Sequence, residues 1–172
     1  MDKYLIFGAT GAIGSNLAEQ LKKSNKNIHL IGRNREKLEE MSSNLNCDYT
    51  ALNILSENIS EELKEEFNNT NISGIAYCIG SIDLKPLRIS KKEDFQRCLE
   101  INFFPIIEAI RALQDNLKRN KGSIVLFSTV AVQKGFVNHS IIASVKGAIE
   151  GLTVSLAAEF APNIKVNCIA PS

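Results

Sequence analysis

The sequence predicts an α/β protein of three layers, α/β/α, in which helices cover both faces of a doubly wound parallel sheet. Two observations lead to this prediction. Short apolar runs alternate with longer amphipathic runs along nearly the whole chain, which is the pattern of repeated strand and helix units. The 172 residues suffice for one domain with a substantial core, so a single domain spanning 1–172 is expected.

The first half of the chain contains four predicted strands and three predicted helices. The strands cover Tyr4–Phe7, Ile28–Ile31, Asp48–Leu52 and Gly74–Ile79, and the helices cover Ala12–Ser24, Glu36–Leu45 and Ser56–Phe67. The fourth strand is apolar enough to be buried on both faces, as the inner strands of parallel sheets are.

The second half is predicted to contain two long helical regions and two more strands. Ser90, with Glu93 three residues later, is the expected N-cap of a helical region that ends near Asn120. Pro105 should kink or interrupt this helix. The remaining elements are a strand, a loop through Gly135, a helix and a last strand, over Ser123–Phe127, 128–139, Ser140–Phe160 and Lys165–Cys168. The chain stops directly after this strand, so we expect a domain truncated there.

Charge and cysteine usage limit the classes of partner. The chain has 20 Lys and Arg against 19 Asp and Glu, so no net field attracts nucleic acid or an anionic membrane. The four widely spaced cysteines indicate reduced thiols and no metal site. No apolar run approaches the ~20 residues that span a bilayer, and the N-terminus has no leader pattern. Together these features predict a cytoplasmic protein without a nucleic-acid, membrane or metal partner.

A glycine-rich turn lies between the first predicted strand and the first helix. Gly8, Gly11 and Gly14 recur at a spacing of three, with Thr10 and Ile13 between them. Such glycines permit a tight turn and a close approach of backbone to a pyrophosphate, which the helix N-terminus also attracts. In this context the turn predicts a Rossmann-type dinucleotide site formed by these five residues. The alternative is that the glycines only serve a tight connection between strand and helix.

The end of the second strand predicts which dinucleotide binds. A carboxylate there would bond the ribose 2′-hydroxyl of NAD, but the strand end, Ile31-Gly32-Arg33-Asn34-Arg35, contains no acid. Arg33 and Arg35 are instead placed to pair with a 2′-phosphate. The sequence therefore favours NADP(H) over NAD(H), the alternative being that both arginines are ordinary solvated residues at a helix start.

Several further motifs follow in order along the chain from Tyr4 to Ser172. They are the glycine turn, Asn53, Tyr77-Cys78-Ile79-Gly80, Ile101-Asn102-Phe103, Gly122–Thr129, Ala143–Ala148 and Val166–Pro171. In this order they resemble the motifs of the short-chain dehydrogenase/reductase family. The resemblance implies a nicotinamide cofactor, with Asn53 near the adenine and Gly80 beside the cofactor. It also implies that the two long helices form the interface of a homodimer or homotetramer.

The same resemblance implies a set of catalytic residues. Asn102 matches an asparagine of the family's proton relay, Thr129 stands at the position of a catalytic serine, and Lys146 matches the catalytic lysine. The family's proton-donating tyrosine lies four residues before the lysine, where this chain has Ile142, which carries no exchangeable proton.

The missing proton could come from another donor, such as His139, water or the substrate itself. His139 lies three residues before Ile142, and a histidine side chain can transfer protons near neutral pH, although it could equally be a loop or cap histidine. Of the three tyrosines, only Tyr77 is placed to approach the cofactor. Lys146 could persist as a residue that binds the nicotinamide ribose.

Two functional hypotheses follow from this sequence. The first is an NADP(H)-dependent oxidoreductase of the short-chain dehydrogenase/reductase type that acts on an unidentified small carbonyl or alcohol. The second is a catalytically impaired NADP(H)-binding pseudoenzyme that acts through a protein partner, and Ile142 is its main support.

Overall fold

The computed structural model describes residues 2–172, whose six strands form one parallel sheet in the order β3-β2-β1-β4-β5-β6. The strands are β1 (Lys3–Phe7), β2 (Ile28–Gly32), β3 (Asp48–Ala51), β4 (Ile72–Tyr77), β5 (Ser123–Phe127) and β6 (Lys165–Ile169). The helices are α1 (Ala12–Lys23), α2 (Arg35–Leu45), α3 (Ile59–Glu66), α4 (Lys92–Asn102), α5 (Phe104–Arg119), α6 (Ala131–Lys134) and α7 (Ser140–Phe160). The strand order reverses between β1 and β4, which opens a crevice at the carboxyl ends of these strands. The predicted Rossmann-type fold is confirmed.

Alternate residues of β1 supply the two faces of the core. Leu5 and Phe7 point into a cluster with α3, α5 and α7, whereas Ile6 points into a cluster with α1 and α2. All three side chains are fully buried, as are the five residues of β2 apart from a trace at His29. Burial on both faces explains why these strands are continuous apolar runs in the sequence.

The long helical region before β5 is divided into α4 and α5. The break lies at Phe103, where φ is −122° and ψ is −59°, and Pro105 occupies the first turn of α5. A proline is tolerated there because the N–H that it lacks would have no partner within the helix. The interruption predicted from Pro105 is therefore confirmed.

The predicted cap of this region is wrong. Ser90 lies outside α4, which is capped at Lys91, where the backbone N–H donates to the Asp94 carboxylate at 2.8 Å. Asp94 takes the place predicted for Glu93. It also accepts from Lys85 Nζ at 2.6 Å, which ties the preceding loop to the start of the helix. The capping pattern is shifted by one residue, from the predicted Ser90 and Glu93 to Lys91 and Asp94. Serine is a preferred N-cap residue and lysine is not, so the sequence favoured the wrong position.

Other predicted boundaries also change, and helix α3 begins at Ile59 instead of Ser56. The strand β4 runs from Ile72 to Tyr77, so it begins and ends two residues earlier than predicted. Gly74 lies inside the strand and packs closely on β1, where a Cβ at this position would lie 2.8 Å from Tyr4 Cδ1. The region predicted as a loop through Gly135 contains the short helix α6. A turn of 3-10 helix, Leu87–Ile89, also lies in the loop before α4.

The helix α7 contradicts the expectation that no apolar run approaches a membrane-spanning length. By length and composition alone its 21 residues could cross a bilayer. A third of its most apolar stretch is buried within the chain. It packs against β5, β6 and α4, which accounts for the apolar residues on its inner face.

Candidate functional site

The glycine turn between β1 and α1 is compact and depends on missing side chains. Gly8 has φ of +76°, a conformation that favours glycine. The carbonyl oxygen of Gly8 accepts from the Gly11 N–H at 3.0 Å. A Cβ on Gly14 would lie only 2.3 Å from the same oxygen, so α1 meets the turn at a distance that only glycine allows. These glycines therefore have separate structural roles in one turn.

The N-terminus of α1 offers free hydrogen-bond donors toward the turn. No side chain caps the helix, and its first turn contains no acidic residue. The first N–H groups of a helix have no partner within the helix, and its N-terminus carries a partial positive charge. This donor set, next to a turn stripped of side chains, fits the pyrophosphate of a dinucleotide.

A first cavity of about 350 Å³ opens beside this turn. It brings together six of the predicted cofactor residues: Gly8, Thr10, Gly11, Arg33, Asn53 and Gly80. Among its lining residues Arg33 is the only charged one, and Arg35 lies outside the lining. The neighbouring Asn34 side chain is engaged in capping α2, where it accepts from the Lys37 N–H at 3.0 Å. The charge that a ligand meets at this end is therefore positive.

A second cavity of about 400 Å³ adjoins the first. Its lining includes Asn102, Thr129, His139, Ile142 and Lys146, which are the residues expected at the catalytic end, together with Ile13 of the glycine turn. The backbone segment 78–81, which follows β4, borders both cavities. The two cavities are thus adjoining halves of one cleft across the carboxyl ends of the strands.

Asn102 and Lys146 are both held close to Gly80. Asn102 is fully buried, and its Oδ1 accepts from the Ser81 N–H at 2.9 Å while its Nδ2 donates to the Cys98 carbonyl at 3.0 Å. Lys146 Nζ donates to the Phe127 carbonyl at 2.8 Å. A Cβ on Gly80 would lie 3.1 Å from Asn102 Oδ1 and 3.6 Å from Lys146 Nζ. Because residue 80 is glycine, no side chain of this residue crowds the two groups.

The ammonium group of Lys146 has an unusual electrostatic environment. Within residues 2–172 it forms no ion pair with a carboxylate. Burial lowers the pKa of Lys146 because a charge is costly to remove from water, and the thiols of Cys168 and Cys98 oppose this shift only when they are ionised. The amine is therefore easier to deprotonate than that of an ordinary lysine.

Two adjacent hydroxyl groups at the end of β5 have different partners. Thr129 Oγ1 accepts from the Ala131 N–H at 3.3 Å, which leaves its proton free to donate into the cavity. The buried Ser128 instead donates to Glu150 at 2.6 Å. Sequence reasoning missed Glu150, although its position four residues after Lys146 places both on one side of α7.

The groups that could replace a tyrosine differ in position. His139 directly precedes α7; its Nδ1 lies 2.7 Å from the Val137 carbonyl, and its ring lies against Phe136. Ile142 is 2% exposed and packs in a cluster that includes Cys98 and Val145. These positions place the imidazole at the rim of the second cavity and an aliphatic side chain in its wall.

The expectation that Tyr77 approaches the cofactor is wrong. Its side chain is 2% exposed in the core, and its ring stacks on Phe7 with the centroids 5.4 Å apart. Burial raises the pKa of its hydroxyl. Because side chains alternate along a strand, Cys78 and not Tyr77 faces the cleft.

Comparison with known proteins shows which chains share this architecture. A sequence model described as short chain dehydrogenase matches residues 3–172. The 3-oxoacyl-[acyl-carrier-protein] reductase FabG of Rickettsia bellii is 31% identical over 173 residues, an alignment that covers 97% of this chain and 70% of that protein. The uncharacterized oxidoreductase YciK of Escherichia coli is 28% identical and is covered to 71%.

Solved structures agree with these sequence matches. A short chain dehydrogenase from Shigella flexneri 2a, determined in complex with NADP, superimposes with a TM-score of 0.91 at 26% identity, over 99% of this chain and 76% of that one. A short chain dehydrogenase from Escherichia coli CFT073 gives a TM-score of 0.90 at 26% identity, over 99% of this chain and 80% of that one.

Proposed function

Because the chain belongs to the short chain dehydrogenase family of oxidoreductases, we propose that it uses NADP(H) to interconvert a small carbonyl compound and an alcohol. One observation carries the proposal. The cleft joins a cavity built on the glycine turn to a second cavity that contains Thr129 and Lys146. A ligand that filled both cavities would place its two ends beside different chemical groups. A dinucleotide cofactor requires this, because its adenine and nicotinamide ends differ in chemistry.

Each part of the cleft has a distinct role in this proposal. The N–H groups at the start of α1 would bond the pyrophosphate, and Asn53 would lie near the adenine. When bound, the cofactor supplies or accepts the hydride. The Thr129 hydroxyl would donate to the carbonyl oxygen and stabilise the negative charge that develops there. Lys146 would bond the ribose hydroxyls at the nicotinamide end.

The preference for NADP(H) depends on Arg33. Its guanidinium is the only charged group that lines the first cavity, and a phosphate is the ligand that a guanidinium bonds best. We predict that Arg33→Ala weakens NADPH binding roughly 10- to 100-fold, the loss of a charge-assisted hydrogen bond, and leaves NADH binding unchanged. Isothermal calorimetry measures both. Arg35→Ala, just outside the cavity, is the matched control, and equal losses for NADPH and NADH would contradict the assignment.

The reaction is tested by NADPH oxidation with a panel of aldehydes and ketones. The panel should favour uncharged, apolar compounds, because Ile79, Ile82 and Phe136 line the second cavity. Turnover with any of them supports the proposal. Tight NADPH binding without turnover would favour the second candidate, a cofactor-binding protein that acts through a partner, which the aliphatic Ile142 supports.

We also propose a cytoplasmic homodimer or homotetramer without a nucleic-acid or membrane partner. The near balance of charges supports the absence of such partners. Val154 on α7 is 72% exposed and Phe104 on α5 is 44% exposed, which leaves apolar surface on both helices for a second copy. Sedimentation equilibrium measures the oligomeric state, and a monomer at every concentration would exclude this assembly.

A further inference from the structure

Reduction of a carbonyl requires a proton for the oxygen as well as a hydride for the carbon. Ile142 supplies no proton, so the donor must be sought among the other groups of the second cavity. Those with an exchangeable side-chain proton are Ser81, Ser128, Thr129, Ser172, Cys78, Asn102, His139 and Lys146. The Asn102 amide is not an acid near neutral pH, and burial raises the pKa of the Cys78 thiol to about 12, so neither is a proton donor here.

The hydroxyl groups are poor candidates. An aliphatic hydroxyl is too weak an acid near neutral pH to release a proton without a source that replaces it at once. Ser128 already donates its hydroxyl proton to the Glu150 side chain in a hydrogen bond, so this proton is not directed at a substrate. Thr129 can hydrogen-bond to the carbonyl, but within residues 2–172 the hydrogen bond that its oxygen accepts comes from the Ala131 backbone N–H, which releases no proton.

His139 is a weaker candidate than its chemistry suggests. Its Nδ1 is bonded to the Val137 carbonyl, and its ring is held against Phe136, on the loop that precedes α7. The imidazole therefore lies at the rim of the cavity. By contrast, Thr129 follows the end of β5, Lys146 lies on α7, and both residues line the cavity next to segment 78–81.

We propose that Lys146 is itself the catalytic proton donor of this carbonyl reduction, an inference that rests on the proposed function. Its ammonium has three protons, of which the contact with Phe127 uses one. Lys146 and Ile142 are four residues apart on α7, so they share one helix face and line the same cavity. An isoleucine leaves no hydroxyl between the ammonium and a substrate oxygen.

The surroundings of Lys146 favour release of its proton. Gly80 places no side chain between Nζ and the segment that borders both cavities. The titratable groups that face Lys146 are Cys98 from α4, Cys168 from β6, Cys78 after β4, Glu150 on its own helix and His139 just before that helix. Within residues 2–172 none of them pairs with the ammonium, and burial moves its pKa toward the working range of a general acid.

The step is balanced in atoms and electrons. A hydride from the bound reduced nicotinamide dinucleotide would form the new C–H bond as the carbonyl π electrons move to oxygen. An N–H bond of Lys146 breaks as the O–H bond forms. The products would be the alcohol, the oxidised dinucleotide and a neutral lysine amine, which regains its proton from hydronium or a buffer acid, so that one solvent proton is consumed per turnover.

Lys146→Arg separates proton donation from charge. Arginine keeps the positive charge but does not release a proton at accessible pH. We expect Lys146→Arg to bind NADPH within a few-fold of wild type and to lose roughly 100- to 10,000-fold in turnover, the contribution of general acid catalysis. Lys134→Arg, an exposed lysine on α6 outside the cavity, is the matched control and should retain wild-type turnover. Ile142→Tyr in the Lys146→Arg background should restore turnover, because it returns a proton donor.

A readout without turnover is the NMR titration of labelled lysine side chains, with Lys146→Arg identifying the signal. We expect Lys146 to titrate below the other lysines, and the wild-type reduction rate to fall as pH rises through the same value. A wild-type rate in Lys146→Arg, an ordinary lysine titration, or loss of turnover in His139→Gln with retention in Lys146→Arg would overturn the assignment. An inactive wild type overturns the proposed function as well, whereas an active wild type with an active Lys146→Arg overturns the donor alone.

Discussion

Acidification is expected to destabilise this protein through His29, a buried residue of β2. The ring is 4% exposed, and its Nε2 lies 2.6 Å from Thr50 Oγ1, which donates its own proton to Glu66 at 2.8 Å. Thr50 must therefore accept from the ring, so Nε2 carries the proton. Among the residues that the structure describes, none bonds Nδ1. A second proton would place an unsolvated charge in the core.

The magnitude follows from the two titrations. Burial, and then the charge of Lys3, lower the pKa of His29 from 6.5 to about 4. Between these values the unfolded chain binds a proton that the folded chain does not. The contribution of His29 to the free energy of unfolding is therefore fully present above pH 6.5 and is lost as the pH falls toward 4. The linkage relation gives a loss of about 2 kcal/mol in the free energy of unfolding between pH ~8 and pH ~5.

Urea unfolding at both pH values measures this loss, and His29→Gln isolates it. Glutamine does not titrate and can still donate to Thr50, so the variant should lose about 2 kcal/mol less than wild type on acidification. His139→Gln changes the chain's other histidine, which is only partly buried at the surface, and is the matched control. A His29→Gln variant that loses as much stability as wild type would refute the reasoning.

Two further substitutions test the packing of the glycine turn and of the loop before β4, which lies at the amino ends of the strands. Gly14→Ala places a Cβ 2.3 Å from the Gly8 carbonyl, and we expect overpacking of about 1–3 kcal/mol to lower Tm by roughly 2–12 °C. Gly151→Ala on α7, where a Cβ meets nothing within 4 Å, should raise Tm slightly, and equal Tm values for the two variants would contradict this view. Asn116→Ala removes an amide that donates to two carbonyls before β4, each at 2.9 Å, and should cost about 1–3 kcal/mol. Because this contact lies away from the cleft, NADPH affinity measured by calorimetry should not change, and a weaker affinity would show that the cleft is coupled to it.

The sequence predicted the parts of the site that depend on local pattern. The glycine turn was predictable because its residues are close in the chain, and Asn102, Thr129 and Lys146 because each stands in a motif of its own. The structure brings these three residues to one cavity. Their roles in binding and catalysis remain predictions.

Features that depend on packing could not be predicted in the same way. Ser128 and Glu150 are 22 residues apart and meet only because α7 lies across the end of β5. The burial of Tyr77 depends on which face of β4 its side chain takes, and an apolar run without alternation does not reveal this. The cap at Asp94 depends on a contact with Lys85 in the loop before it.

The shared border 78–81 means that the two cavities form one connected space. A pyrophosphate that joins two nucleotides would make the second contact intramolecular, at an effective concentration on the order of millimolar for a short linker. Affinity for the whole ligand then exceeds what either cavity achieves alone. Under the proposed function, substitutions at Arg33 in one half and around Ile142 in the other would change the selectivity of each end separately, while the joined ligand stays bound.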